Sequence, residues 1–551
     1  MKEGKCVIRI LPEGKSIQAD EGQLLIEALV GAGMILRFDC GGNGRCGKCQ
    51  VRIPELSSES FSPPTDAECR MLGEKNLSDG YRLACQATVL NDLEVNIPES
   101  SLLSPEVSGK GPLLLPDDMV STAPSRLESA HYGLAVDLGT TTIAVYICDL
   151  DSGKVAGSIS VRNPQAMFGD DVMSRISAVA DHSKNLARLQ KVVVKAIEWS
   201  VTSLCRSMRI DDPENIKTAV VVGNSTMIHI FVGEDPSPIG AFPYTPRFIE
   251  EKMFKAEEIG FSFNPSAEIF TLPLISGYLG SDIVAAALAA ELGKCVAGAM
   301  LVDIGTNGEV MLLGENGLWA TSCATGPAFE GAAIRHGMQA VSGAIDAVDI
   351  ERKSGRATCS VIQPDGHTHK QPSGICGSGV ISAVAELYRK GFLSSDGRFN
   401  TDSGSNSFRH DEDGLLEFDL VPAQSSQTGN PITITQKDIR AIQLAKGALI
   451  TGMELLCAET GLTVPKQLMI AGAFGTFIDA KDANTVGMFP DLNKDSVRSV
   501  GNAAGAGAVL SLLDPSLRST ARELARSTTV LDLASTPDFE KTFIKALAFP
   551  V

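Results

Sequence analysis

A strand-like apolar run beginning at Tyr132 ends on Asp137, turns through Leu138, Gly139, Thr140 and Thr141, and resumes as apolar sequence at Ile143 to Val145. The same figure returns at Met300 to Val310, with Asp303, Ile304, Gly305, Thr306 and Asn307 in the corresponding places. Two copies of Asp-[Leu/Ile]-Gly-Thr in one chain predict two related halves, each offering a hairpin tip. Each tip presents N–H groups and hydroxyls suited to phosphate oxygens, and each first strand ends on a carboxylate able to hold Mg²⁺ directly or through water. One such turn would be weak evidence, because glycine turns are common for structural reasons. A third, Gly472-Ala473-Phe474-Gly475, follows the apolar run ending at Ala471 and precedes Asp479. A late strand end of this kind lets a nucleobase and ribose approach the backbone.

The second constraint lies near the N-terminus. Cys40, Cys46 and Cys49 fall within ten residues, spaced by five and then two positions, and Cys85 follows later. Four thiolates suit an iron–sulfur cluster or a structural zinc. The glycines at 41, 42, 44 and 47 favour the cluster, whose bridging sulfides need inward N–H groups from a tightly curled chain. A zinc ribbon would usually show two Cys-x-x-Cys pairs, and one is present. The loop reads as a [2Fe–2S] site.

With 551 residues, 44% hydrophobic and 21% charged, the chain has material for several domains with ample cores. A net charge of −18 without a basic stripe argues against a nucleic-acid partner. No apolar run reads as a membrane span and no signal peptide opens the chain, so a cytoplasmic protein is expected. Most of the remaining cysteines, such as Cys148, Cys205, Cys323 and Cys457, sit singly in apolar surroundings and read as small core side chains.

Residues 1–98 read as short strands with a helix over Gln23 to Gly31, another around Asp66 to Leu72, and strands carrying Cys85 and Leu93 to Ile97. On these residues the segment resembles the [2Fe–2S] ferredoxins, which implies a β-grasp fold; the five-residue gap between the first two cysteines is that of the adrenodoxin-like branch. Residues 99–130, rich in Pro, Gly and Ser, have linker composition. Their length would let a small domain swing by tens of ångströms, at roughly 3 Å per extended residue. From 131 the chain reads as an ATPase region, taken as a first part at 131–213 and a core at 214–551. Gly223-Asn224-Ser225-Thr226 is a buried strand running into a helix start, with its turn expected to face the ligand cleft. Asp170 and Asp171 read chiefly as helix caps. His367 and His369 read as a solvated hairpin rather than a metal pair, and Cys376 as either an anion-binding turn or a plain tight turn.

The order of the three glycine turns resembles the sugar kinase, Hsp70 and actin superfamily. That likeness implies two ribonuclease-H-like halves, with phosphates on Gly139, Thr140, Thr141 and Gly305, Thr306, Asn307. It also implies adenosine against Gly472, Ala473, Phe474 and Gly475. Through Asn163-Pro164-Gln165, Gly223 to Met227, Asp303 to Glu309, Ala324 to Gly331 and Ala471 to Gly475, the whole chain resembles the reductive activators of corrinoid proteins. The resemblance implies ATP-dependent reduction of a Co(II) corrinoid protein to Co(I). In it Cys40, Cys46, Cys49 and Cys85 hold the cluster, Asp137 and Asp303 organise Mg²⁺ and the attacking water, a low-potential reductant feeds the cluster, and the protein is a homodimer. Two other readings stay open at this point, a small-molecule kinase of the same superfamily and an ATP-gated module that binds a corrinoid protein without catalysis. The ATPase of the 2-hydroxyacyl-CoA dehydratase activators is a weaker third.

Overall fold

Strand Lys5–Leu11 alternates exposed and buried residues, turning Cys6, Ile8 and Ile10 into the first core. In the computed structural model, residues 4–550 are described apart from 13, 39, 55–59, 104–112, 117–118, 120–130, 211, 332–333, 364–369, 402–406, 412 and 473–477. Lys5–Leu11 pairs antiparallel with Lys15–Asp20 and parallel with Leu93–Asn96. Gln50–Arg52 and Tyr81–Leu83 complete a five-stranded sheet of the expected β-grasp type. Helix Leu25–Gly31 carries the expected Leu25, Ile26, Leu29 and Val30 face, yet all seven of its residues are buried.

Two details of this domain differ from expectation. Cys85 lies in a turn after its strand, because the N–H groups of Gln86 and Ala87 both fold back onto Leu83 O. Helix Asp66–Ser78 runs past Leu72, started by a Thr65–Glu68 capping box and broken where Gly73 takes φ 70°. The first residues of the expected linker fold onto the domain. Leu103 N donates to Ile35 O and Arg37 N to Ser101 O, each at 2.9 Å. Most of 104–130 lies outside the described residues.

The chain forms two compact units, Met1–Gly109 with Pro116–Thr271, and Lys110–Leu115 with Leu272–Val551. In the first, strands Tyr132–Leu138, Thr142–Asp149 and Lys154–Arg162 make an antiparallel meander. Ile216–Gly223 then joins Tyr132–Leu138 in parallel, and Glu268–Thr271 adds in parallel beyond it. A division of the ATPase region at 213/214 therefore does not hold, since it would cut one sheet between hydrogen-bonded strands. In the second unit, Ala299–Ile304, Gly308–Gly314 and Gly317–Cys323 form the same meander, and Gln467–Ala471 and Val497–Gly501 extend it in parallel. Both sheets share the strand order of the ribonuclease-H-like half, as the repeated Asp-Gly-Thr figure predicts.

Helix Gln436–Glu459 is long and apolar enough to cross a membrane, contrary to the expectation of no such run, but 78% of its apolar window is buried inside the second unit. Thr435 and Asp438 start it with a capping box, and Ile439, Ile442, Leu449 and Leu456 pack into the core around Val302, Leu312 and Phe418. It is a core helix. The small-residue helix Ala503–Leu513 packs on helix Ser281–Ala289 of the same unit, so closely that a Cβ on Gly507 would stand 2.0 Å from Ala285 O.

Candidate functional site

The cluster loop is shaped by glycines that no other residue could replace cheaply. Gly44 has φ 64°, and a Cβ there would meet Ala67 Cβ at 2.7 Å. This curl turns the thiols toward each other two and two, Cys40 with Cys46 and Cys49 with Cys85. The Cys46 thiol and then the N–H groups of Arg45, Cys46 and Gly42 bond the Cys40 sulfur, holding it down at about 5 against burial. The Cys49 thiol, followed by Gln86 and the Gly44 N–H, lowers Cys85 in the same way. Cys46 and Cys49 are pushed up, first by donating to those partners and then by burial. Among the described residues no three His, Cys, Asp or Glu side chains converge on one metal position. Paired thiols with N–H groups aimed at sulfur fit a two-iron cluster, with two thiolates for each iron, better than a single tetrahedral zinc.

The loop is supported from behind by a buried ion pair. Arg82 and Glu68 meet at 2.8 Å with side chains 4% and 0% exposed. Glu68 also accepts from Leu83 N at 3.0 Å, two residues before Cys85. Burial raises the Glu68 carboxyl, but Arg82 and the Thr65 and Leu83 N–H groups outweigh it and leave it lowered.

At the first hairpin, Leu138 pairs with Ile143 and the turn between them is Gly139 to Thr142. Its carbonyls are held from outside. Asn163 Nδ2 donates to Gly139 O at 2.9 Å, Asn163 N to Thr141 O at 2.8 Å, and Arg175 Nη2 to Thr140 O at 2.7 Å. Asn224, capping helix Ser225–Val232, donates to Thr140 Oγ1 at 2.8 Å, so the expected cleft-facing turn does reach this hairpin. Asp137 is buried on the strand just before it.

The second hairpin closes Ile304 on Gly308 with a turn of Gly305 to Asn307. Thr306 Oγ1 donates to Glu330 at 2.9 Å, and Thr325 Oγ1 to Thr306 O at 3.2 Å, which brings the Ala324 to Gly331 loop to the turn. Strand Gln467–Ala471 delivers Gly472 directly beside Asp303. With φ 92°, a Cβ on Gly472 would lie 2.6 Å from Ile304 O and 2.8 Å from Asp303 Oδ1. Glu309, across the ladder from Asp303, is raised well above the usual carboxylate range by burial, then by Asp282 and Asp303. Ala473, Phe474 and Gly475 lie outside the described residues.

Sequence reasoning gave no role to Arg175, Asp282 or Glu309. Glu309 stood inside the recognised motif, and its place opposite Asp303 could have marked it. Arg175 carried no signal, being one arginine in an amphipathic helix. Other polar and sulfur-bearing side chains resolve as structure. His229 donates from Nδ1 to Ser225 O at 2.7 Å, accepts from Arg247 N at 3.0 Å and stacks on Phe248. Burial lowers its pKa, so it is a neutral core histidine. Cys376 sits against Ile345 O at 3.2 Å, where Gly379 permits the helix to touch the strand. Asp171 caps helix Val172–Asp181 as expected. His367 and His369 lie outside the described residues.

Three family descriptions match consecutive parts of the chain. Residues 8–90 match a 2Fe-2S iron-sulfur cluster binding domain, 132–295 the RACo middle region, and 297–551 the C-terminal domain of RACo, the ASKHA domain. The corrinoid activation enzyme RamQ of Eubacterium limosum is 30% identical over 97% of this chain and 98% of its own length. The [Co(II) methylated amine-specific corrinoid protein] reductase of Methanosarcina barkeri is 24% identical over 76% and 77%. A solved structure, a reductive activator for corrinoid, iron-sulfur protein, superposes with a TM-score of 0.70 at 30% identity, over 99% of this chain and 98% of the other. The chain belongs to the family of reductive activators of corrinoid proteins, with a [2Fe–2S] domain, a middle region and an ASKHA domain in one polypeptide.

Proposed function

We propose that this protein uses ATP to drive one electron from a [2Fe–2S] cluster onto the Co(II) corrinoid of a separate protein, giving Co(I). A low-potential reductant then refills the cluster. The observation that carries this is the end-to-end match to the corrinoid activation enzyme, 97% of this chain against 98% of that one. Partial matches would have left the pairing of electron carrier and ATPase unexplained.

An electron moving downhill needs no ATP. Each ~59 mV uphill costs a factor of about ten, or about 1.4 kcal/mol, in a one-electron step, and nucleotide-driven closure can sustain a transfer that equilibrium forbids. When bound, the cluster supplies the one-electron store and Mg²⁺ supplies positive charge at the phosphates. Cys40, Cys46, Cys49 and Cys85 are its ligands in this reading, and the N–H groups around Cys40 and Cys85 stabilise thiolate charge. Gly139 to Thr141 and Gly305 to Asn307 offer N–H and hydroxyl donors to phosphate oxygens. Asp137 and Asp303 organise Mg²⁺ and orient the attacking water by charge and hydrogen bonding. Gly472 gives adenosine close access to the backbone, with Ala473, Phe474 and Gly475 completing that wall. A cytoplasmic homodimer is the setting this reading assumes.

The test is anaerobic. Purified protein, ATP, a strong reductant and a candidate corrinoid protein are mixed, and the Co(II)-to-Co(I) absorbance change is followed. Reduction that needs both ATP and the protein supports the reading. Sustained ATP turnover on a small acceptor, indifferent to the corrinoid protein, would overturn it.

A further inference from the structure

The cluster domain is seated on the middle region at two places. Helix Leu25–Gly31 is buried on all sides because it rests on helix Lys184–Met208, where Arg188 Nε bonds Glu27 at 2.6 Å. The cluster loop itself rests on the segment that follows strand Lys154–Arg162. Asn43 Nδ2 donates both to Cys40 O and to Asp170 Oδ2, each at 2.9 Å. Gly41, at φ 69°, lies so close to the Arg162–Asp170 ion pair that a Cβ would stand 2.5 Å from Asp170 Oδ1 and 2.6 Å from Arg162 Nη2.

The same segment grips the first hairpin turn. Asn163 holds the carbonyls of Gly139 and Thr141. Arg175, fully buried, donates to Thr140 O at 2.7 Å and to Gly169 O at 3.0 Å, one residue before Asp170. One guanidinium therefore bonds the turn at one end and the cluster dock at the other. Holding the turn's three carbonyls fixes its backbone, so the docked arrangement pre-organises the turn.

We propose that residues 162–171 are a docking site for the cluster domain whose occupancy is linked to nucleotide at the first hairpin turn, with Arg175 as the positioning residue between them. This rests on the nucleotide reading of that turn given above. The linkage is positive: nucleotide strengthens docking, and docking strengthens nucleotide binding by the same factor. A coupling of about fivefold or more is the expected scale.

The experiment uses full-length, cluster-loaded protein without any corrinoid protein. Amide hydrogen exchange at residues 41–46 and 166–171 is measured with and without a non-hydrolysable ATP analogue, and analogue affinity is measured by calorimetry. Bound analogue should slow exchange in both segments about fivefold or more. Asp170→Ala and Arg188→Ala, neither of which touches the turn, should weaken analogue binding by a similar factor. Arg175→Lys should bind analogue yet lose the exchange response at 41–46. Exchange at 41–46 that ignores bound analogue, or an Asp170→Ala and Arg188→Ala pair with unchanged affinity, overturns the linkage. Calorimetry showing no binding at all overturns the nucleotide reading instead. Linked protection in a protein that never reduces Co(II) would leave the docking inference standing and sink the electron-delivery reading.

Discussion

The two Asp-Gly-Thr hairpins come from one pattern yet are furnished in opposite ways. Across the ladder from Asp137 stands Ala144; across from Asp303 stands Glu309. The first turn is one residue longer, and amides and a guanidinium from Asn163, Arg175 and Asn224 hold it. The second turn is held by Glu330, with Glu309 and Asp282 close by. A duplicated fold thus supports divided labour. The first half fixes the shape of its hairpin turn and joins it to the cluster domain, while the second gathers carboxylates of the kind that suit a divalent ion and its water.

The comparison breaks if the second turn does not dominate turnover. Asp303→Asn should lower ATP-dependent phosphate release by about 10²–10³-fold, the scale of removing a group that stabilises transition-state charge. Asp137→Asn should cost less, about 10–100-fold. Equal losses in the two variants would erase the distinction. Stability should show the reverse asymmetry. Arg175→Ala takes the guanidinium donor from the Thr140 and Gly169 carbonyls and should destabilise the first unit by about 3 kcal/mol or more in denaturant unfolding. Thr306→Val in the second turn should cost only about 1 kcal/mol.

Much of this was legible because chemistry demands particular residues. A two-iron site needs four thiolates and positive-φ glycines, so Cys40 to Cys49 announced itself. The twin hairpins announced themselves by repetition. Arg175 and the Asn43–Asp170 contact left no such trace, since a hydrogen bond spanning 127 residues has no local pattern. The burial of Gln436–Glu459 was likewise hidden, because composition cannot separate a core helix from a membrane span. The extent of the first unit, ending at Thr271, depends on strand order rather than on any change of composition.

Two smaller effects sharpen the contrast. Glu309 has a folded pKa raised above its unfolded value, chiefly by burial. The folded state therefore binds more protons above the unfolded pKa, and metal-free protein loses stability as pH rises through the window between the two. Glu309→Gln should flatten that dependence, by up to about 1.4 kcal/mol per pH unit within the window, as read from thermal unfolding at stepped pH. No counterpart exists opposite Asp137, where Ala144 cannot titrate. Asn224→Ala removes both a helix cap and the bond to Thr140, and should cost about 1–2 kcal/mol while raising the dissociation constant for ATP analogue only a few-fold.

In the proposed reaction ATP drives an electron from the thiol-held cluster to cobalt. It is tested most directly by following the paramagnetic Co(II) signal of a corrinoid protein under strong reductant, with wild-type protein and with Cys46→Ser. ATP should abolish the signal with the wild-type protein, while Cys46→Ser should still bind ATP and leave the signal in place. Loss of the signal at the wild-type rate with Cys46→Ser would contradict the account.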